Sequence, residues 1–254
     1  MWESKLEKFL AGFEHLDDVV GILVCGSYVT GGPTAHSDLD VHLVLREDAD
    51  FRERGNRIVD GLLVEYFANP PKQILAYFKD DVRSGDLNCP TQFATGRILR
   101  DDTGVIAELK VKAQGIIDDF YKTSQMRQMF VLTKYGIWDM LDDLQDAQAT
   151  GRVDFDFLYH NFLNNLLREY MRHNGLTYST KTILGNISSD EVRRKYLLPQ
   201  LSHPHIADKA KKAITATATS EKMTAFQDLA NEILELNGGF DIGTFTLKSP
   251  LDCE

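Results

Sequence analysis

Three carboxylates and one Gly-Ser pair are the residues in this sequence best placed to do chemistry. Asp38 and Asp40 stand within Ser37-Asp38-Leu39-Asp40-Val41, and Glu65 stands within Leu62-Leu63-Val64-Glu65-Tyr66-Phe67. In an extended strand, residues i and i+2 point to the same face. Asp38 and Asp40 therefore project together, roughly 7 Å apart at Cα, while Leu39, Val41 and Leu43 turn towards a core. Such a pair repels unless it is solvated or bridged by a cation. Carboxylate oxygens are also the hard ligands that Mg²⁺ takes, alongside substrate phosphates. A third carboxylate on a neighbouring strand completes a two-metal arrangement, or supplies a general base, for in-line phosphoryl transfer. Glu65 lies among apolar residues, where a carboxylate needs a reason. Gly26-Ser27 closes an apolar run: Gly26 lets backbone approach a phosphate closely, and Ser27 offers a hydroxyl. A helix beginning near Ser27 would add free amides that suit an anion. This is not a P-loop, because GxxxxGK[ST] is absent, and no GxGxxG follows a strand. His42 continues the face of the two aspartates, and Cys25, with no base evidently paired to it, reads as a small buried hydrophobe.

The elements that must position these residues lie in the first half of the chain. Ser4-Lys5-Leu6-Glu7 has the form of a capping box opening a helix, and Leu6, Phe9, Leu10, Phe13 and Leu16 follow at helical spacing. The apolar, β-branched run ending at Cys25 predicts a buried strand, and Leu39–Leu45 predicts a second. Arg57–Val59 and Leu62–Phe67 flank Asp60-Gly61, a dipeptide suited to a tight hairpin because both central residues need positive φ. Pro70-Pro71 ends that strand and Lys72–Val82 predicts a helix. Beyond residue 100 the pattern is helical: Gly104–Tyr121, Ser124–Ala149, Phe155–His173, Ser189–Leu198, Ile206–Thr217 and Glu221–Asn237. Gly151, Gly175 and Gly238-Gly239 sit where helix C-terminal breaks fall. The expected fold is therefore α/β (α+β): a mixed sheet with flanking helices over 1–121, followed by an all-helical bundle over 122–254.

Gly26-Ser27, the eleven-residue step from Ser27 to Asp38, the Asp38-Leu39-Asp40 pair and Glu65 on a later strand together resemble the DNA polymerase β-like nucleotidyltransferase superfamily. Within it, the layout resembles the small-molecule nucleotidyltransferases that act on aminoglycosides and lincosamides, with a catalytic domain followed by a helical one. The motif match runs from Val19 to about Phe67. The resemblance implies that Asp38 and Asp40 bind Mg²⁺, that Gly26 and Ser27 contact nucleotide phosphates, and that Glu65 is the third metal ligand or the base that deprotonates the acceptor. Glu169 and Asp154 are alternatives for that base. Many members carry an Arg soon after the Gly-Ser, whereas Tyr28-Val29-Thr30-Gly31 has none, so a phosphate-neutralising cation must come from elsewhere. Lys181 is the preferred candidate, with Arg168 and Arg172 near it. Arg193-Arg194-Lys195 and Lys209–Lys212 read as solvated helix faces, and Trp138, Tyr135, Tyr159, Phe162 and Tyr170 as helix packing.

Composition sets the outer limits. The 254 residues carry 38 acids and 28 Lys+Arg, a net charge of −10. Residues 1–120 hold 21 acids and 13 bases, residues 121–254 hold 17 and 15, and nine bases against four acids fall between Leu166 and Lys212. An acidic balance excludes duplex nucleic acid held through its phosphates, which needs a basic face. No apolar run reaches the ~18–20 residues that cross a bilayer, and MWESKLEKFLAGFEHL lacks a signal peptide's apolar centre. Three separated cysteines, Cys25, Cys89 and Cys253, argue against a disulfide framework and for a reduced, cytoplasmic setting. The expected function is transfer of a nucleoside monophosphate, AMP from Mg²⁺-ATP, to a hydroxyl of a small molecule such as an aminoglycoside, bound in a cleft between the two domains, with release of pyrophosphate. Two alternatives stand beside it: a protein adenylyltransferase of the antitoxin type, and a catalytically silent nucleotide-binding regulatory protein.

Overall fold

The structure, a computed structural model, describes residues 1–123, 129–180 and 183–248. It is an α+β architecture in which a mixed sheet with its helices is followed by a helical region. Two compact units are resolved: one gathers Met1–Thr123 with Lys195–Leu197, and the other gathers the remaining described residues.

The first unit runs α1 (Trp2–Ala11), β1 (Val19–Cys25), α2 (Ser27–Thr30), β2 (Leu39–Leu45), β3 (Glu53–Val59), β4 (Leu62–Asn69), α3 (Pro71–Ser84), α4 (Asn88–Thr95), β5 (Arg97–Asp101) and α5 (Val105–Thr123). The five strands lie in the order β3-β4-β2-β1-β5. All neighbours are antiparallel except β2 and β4, which run parallel. β3 and β4 are joined by the Asp60-Gly61 turn, and both residues take positive φ, +47° and +80°, as a tight hairpin turn demands. β3 is four residues longer at its start than the predicted Arg57–Val59, because Glu53, Arg54 and Asn56 alternate along an edge strand with no apolar signal.

The sheet is covered on both faces. On one, α1 lays Leu6 and Phe9 against Leu39, Val41, Leu43, Val64 and Tyr66. On the other, Leu23, Cys25 and Val44 pack with Ile74, Phe78, Phe93, Ile106 and Leu109 of α3, α4 and α5. The expectation of one core-facing set in β2 is thereby corrected: His42 and Val44 on the aspartate face are buried as well. The predicted capping box is also corrected. α1 opens at Trp2 with no side-chain cap, and Ser4, inside its first turn, donates from Oγ to the Met1 carbonyl at 3.0 Å. α4 and β5 were not legible in the sequence. Pro90 sits in the first turn of α4, where a missing amide costs nothing, and β5 is a short edge strand with only Ile98 and Leu99 as apolar residues.

The second unit is built from α6 (Val131–Ala149), α7 (Phe155–His173), α8 (Ile183–Ser188), α10 (Pro204–Thr215) and α11 (Thr219–Leu236), with α9 (Asp190–Lys195) at its margin. Its core centres on Leu144, Tyr159, Leu166, Ile206, Phe226 and Ile233. Tyr159 is fully buried, and its hydroxyl donates to the Ala213 carbonyl at 2.7 Å. Tyr159 and Tyr170 thus belong to helix packing, as their spacing predicts. Among the described residues no helix is long and apolar enough to cross a membrane.

Candidate active site

The end of β1, the start of β2 and the middle of β4 meet at one corner of the first unit. β1 closes at Cys25, which pairs across the antiparallel ladder with Asp40. Asp40 in turn sits beside Glu65 in the parallel β2–β4 register. Asp38 is one residue ahead of β2. One ligand oxygen from each of Asp38, Asp40 and Glu65 lies within 4.8 Å of the others, and all three residues are half-buried. Carboxylates so close repel one another. Asp40 records this: burial first, then the charges of Asp38 and Glu65, raise its pKa from 3.8 to about 6. A divalent cation among the three oxygens would remove that penalty, so the donor set fits Mg²⁺ or a similar hard ion.

Gly26 is required where it stands. Its backbone has φ +72° and ψ −158°, a region essentially confined to glycine. An added Cβ would also stand 2.1 Å from Asp40 Oδ2. The turn hands the chain to α2, a single turn of helix that starts at Ser27, and Thr30 Oγ1 closes it by donating to the Gly26 carbonyl at 2.9 Å. Sequence reasoning therefore placed Gly26, Ser27, Asp38, Asp40 and Glu65 together, and the structure brings them together. Lys181 lies outside the described residues. Arg168 donates to Asn165 Oδ1 at 3.0 Å within the helical unit. Lys209 pairs with Glu232, but the solvated face expected of Arg193-Arg194-Lys195 is corrected: Arg193 is largely buried, pairs with Asp190 and donates from Nη1 to the Asn186 carbonyl at 3.1 Å, and Lys195 donates from Nζ to the Gly31 carbonyl at 2.9 Å. Asp154 holds Arg152 at 2.7 Å, and Glu169 lies 3.8 Å from His173.

One participant escaped the sequence reading. Arg54 of β3 donates from Nη2 to Glu65 Oε1 at 2.7 Å, with its guanidinium 4.8 Å over the Phe67 ring. Only the β3–β4 register, which sets Arg54 opposite Phe67, reveals this. His42 is buried between Phe67 and Phe93, with Nε2 3.1 Å from Gln92 Oε1. Burial lowers its pKa to about 4, offset only in part by the Gln92 bond, so the ring is neutral at physiological pH. Cys25 is fully buried, and burial together with the nearby Asp40 pushes its thiol far up, which removes it as a nucleophile.

Residues 6–89, the stretch that holds Gly26, Ser27, Asp38, Asp40, Arg54 and Glu65, match the nucleotidyltransferase domain family. The chain carries a nucleotidyltransferase domain. The nucleotidyltransferase domain thus accounts for α1 to the start of α4, and the helical unit lies outside the match. A nucleotidyltransferase-like protein from Exiguobacterium sibiricum 255-15 shares 12% identity, with 94% of this chain and 77% of that one covered, at a TM-score of 0.43. Among curated proteins none matches the chain.

Proposed function

We propose that this nucleotidyltransferase moves a nucleoside monophosphate, AMP from Mg²⁺-ATP, onto a hydroxyl of a small molecule. The observation that carries this reading is the carboxylate triad within 4.8 Å, set beside the Gly26–Ser27 turn. Asp38 and Asp40 would hold the metal, with Glu65 as third ligand or as base. When bound, the cation supplies charge neutralisation of the triphosphate. Gly26 and Ser27 would lie against the phosphates. The acceptor oxygen attacks the α-phosphorus, the bond from that phosphorus to the pyrophosphate oxygen breaks, and the acceptor proton passes to a carboxylate oxygen. Most of the acceleration would come from positioning and from charge balance in a half-buried site. The resemblance noted from the sequence makes aminoglycosides one acceptor class to include in the test, and the site is expected to work in the cytoplasm.

Incubation with Mg²⁺ and α-labelled ATP, GTP, CTP or UTP and a panel of hydroxylated acceptors tests the reading. Label in a small molecule with pyrophosphate released is the expected result. Label in protein would instead mark a protein adenylyltransferase, and no release with any acceptor a silent regulator. Full activity in Asp40→Asn would sink the metal assignment.

A further inference from the structure

A cavity of about 650 Å³ opens directly beside the triad, with Glu65 on its wall. The order β3-β4-β2-β1 fixes its side. Gly26-Ser27, where the nucleotide phosphates are expected, follows β1 on one flank of Asp40. The cavity lies on the other flank, over β4 and the β3 edge, and is closed by α3 and α4. Phe67 and Asn69 continue the Glu65 face of β4 into it. Asp81 and Gln92 stand on the helical wall, and Arg54 and Arg52 stand at the β3 edge. Arg52 donates from Nη1 to the Tyr77 hydroxyl at 2.8 Å. The volume suits a small metabolite.

We propose that this cavity is the acceptor subsite, that it takes a hydroxylated small molecule bearing a phosphate or carboxylate group, and that Arg54 recognises that group. The inference rests on the nucleotidyl-transfer reading above. It follows from what becomes of Arg54. Its ion-pair partner among the described residues is Glu65, and Glu65 is also a member of the metal-binding triad. A cation that takes up the Glu65 carboxylate leaves the guanidinium, exposed and always charged, without its acid. A guanidinium's planar fork fits phosphate or carboxylate through two parallel hydrogen bonds. Arg52 adds a second positive charge along the same edge. Glu53 and Asp81 also line the cavity, but Glu53 accepts from the Tyr66 hydroxyl and Asp81 from the Cys89 amide, so at the β3 edge an anionic acceptor would meet the two guanidiniums and would present its hydroxyl beside Glu65, opposite the nucleotide. Asn69 and Gln92 offer amide groups to the remaining hydroxyls.

The experiment separates Arg54 from the metal. In EDTA, glycerol 3-phosphate is titrated by ³¹P NMR, and glycerate by calorimetry, into the full-length wild type, Glu65→Gln, and Glu65→Gln combined with Arg54→Ala. A neutral amide at position 65 frees the guanidinium without any cation. The single variant is therefore expected to bind one of these probes about tenfold more tightly than wild type, and the double variant is expected to lose the gain. Arg54→Lys in the same background should keep part of it, since a point charge replaces the fork. The probe that responds decides between phosphate and carboxylate. Equal affinity across all variants for both probes would overturn the inference, as would label from ATP entering an aminoglycoside in preference to both anionic acceptors. Mg²⁺-ATP binding, followed in parallel on wild type and Arg54→Ala, tells the two readings apart. Binding unchanged by Arg54→Ala, with no probe response, removes the acceptor inference alone. No Mg²⁺-ATP binding to wild type removes nucleotidyl transfer and the acceptor role with it.

Discussion

The two faces of the sheet in the nucleotidyltransferase domain are built from the same strands and serve opposite ends. Under α1, the rings of Phe9, Phe13 and Tyr66 pack 5.1–6.0 Å apart over a fully apolar surface. On the reverse face, residues one position along the same strands give Asp40, His42, Glu65 and Phe67. Helix cover is staggered between the faces: α1 packs on β3 and β4, whereas α4 and α5 pack on β1 and β5. The reverse face is thus sealed over β1, where Leu23, Cys25 and Phe93 are buried, and keeps a cavity over β4, beside the triad. A charged site half out of water forms where the cover stops. Charges there feel reduced screening yet stay within reach of a ligand.

Substitutions on either face should break this contrast in different ways. The largest effect is expected from Asp40→Asn: transfer should fall at least about a hundredfold, while the unfolding midpoint in EDTA at neutral pH stays level or rises, because one of three crowded charges is gone. Phe9→Ala on the opposite face should do the reverse. It should lower stability by about 3–5 kcal/mol through the cavity it leaves, with turnover per folded molecule unchanged when activity is normalised to the native fraction. Gly26→Ala should injure both properties, since it strains the backbone by about 1–3 kcal/mol and drives a methyl into Asp40. Its transfer rate and its denaturation midpoint should drop together.

The smallest effects are opposed pH slopes on the open face. Asp40 is raised from 3.8 to about 6 in the fold, so between those values the native state holds more protons than the unfolded chain. Its contribution to stability falls as pH rises through that window. His42 is lowered from 6.5 to about 4, so there the unfolded chain holds more protons and stability rises with pH. In wild type the two oppose each other. Urea midpoints in EDTA at pH 4.5 and 6.5 should show stability increasing more steeply with pH in Asp40→Asn, and decreasing in His42→Gln, relative to wild type.

Much of this face was legible before the structure. Asp38, Asp40 and Glu65 are charged residues at fixed parity in or just ahead of otherwise largely apolar strands, and Gly26-Ser27 follows the strand that neighbours them. Local pattern was enough for that. It was not enough for Arg54 and Glu65, whose pairing depends on the register of an edge strand with no apolar periodicity, nor for the burial of His42, since alternation alone cannot say whether the second face of a strand is covered. α4 and β5 were missed because a proline in a first turn and a five-residue edge strand imitate loop. The same shortage of signal shifted the start of α1, where Ser4 and Glu7 have the right types one turn too late. In the helical half, Phe155–His173 was read to the residue, since its apolar spacing spans five turns and is bounded by Asp154 and Asn174.

The parallel neighbours β2 and β4 carry a consequence for assembly in time. β3 and β4 form a hairpin through a two-residue turn, a contact the chain can make locally and early. β2 must then find β4 across the whole of β3, so the Asp40–Glu65 pairing closes a long loop and belongs to the slower, non-local part of folding. The carboxylate corner is therefore expected to form late, and a ligand tying its carboxylates together would hold the two strands against separation. Such a tie acts on escape from the native state more than on arrival there, lengthening the life of the folded domain without hastening its formation.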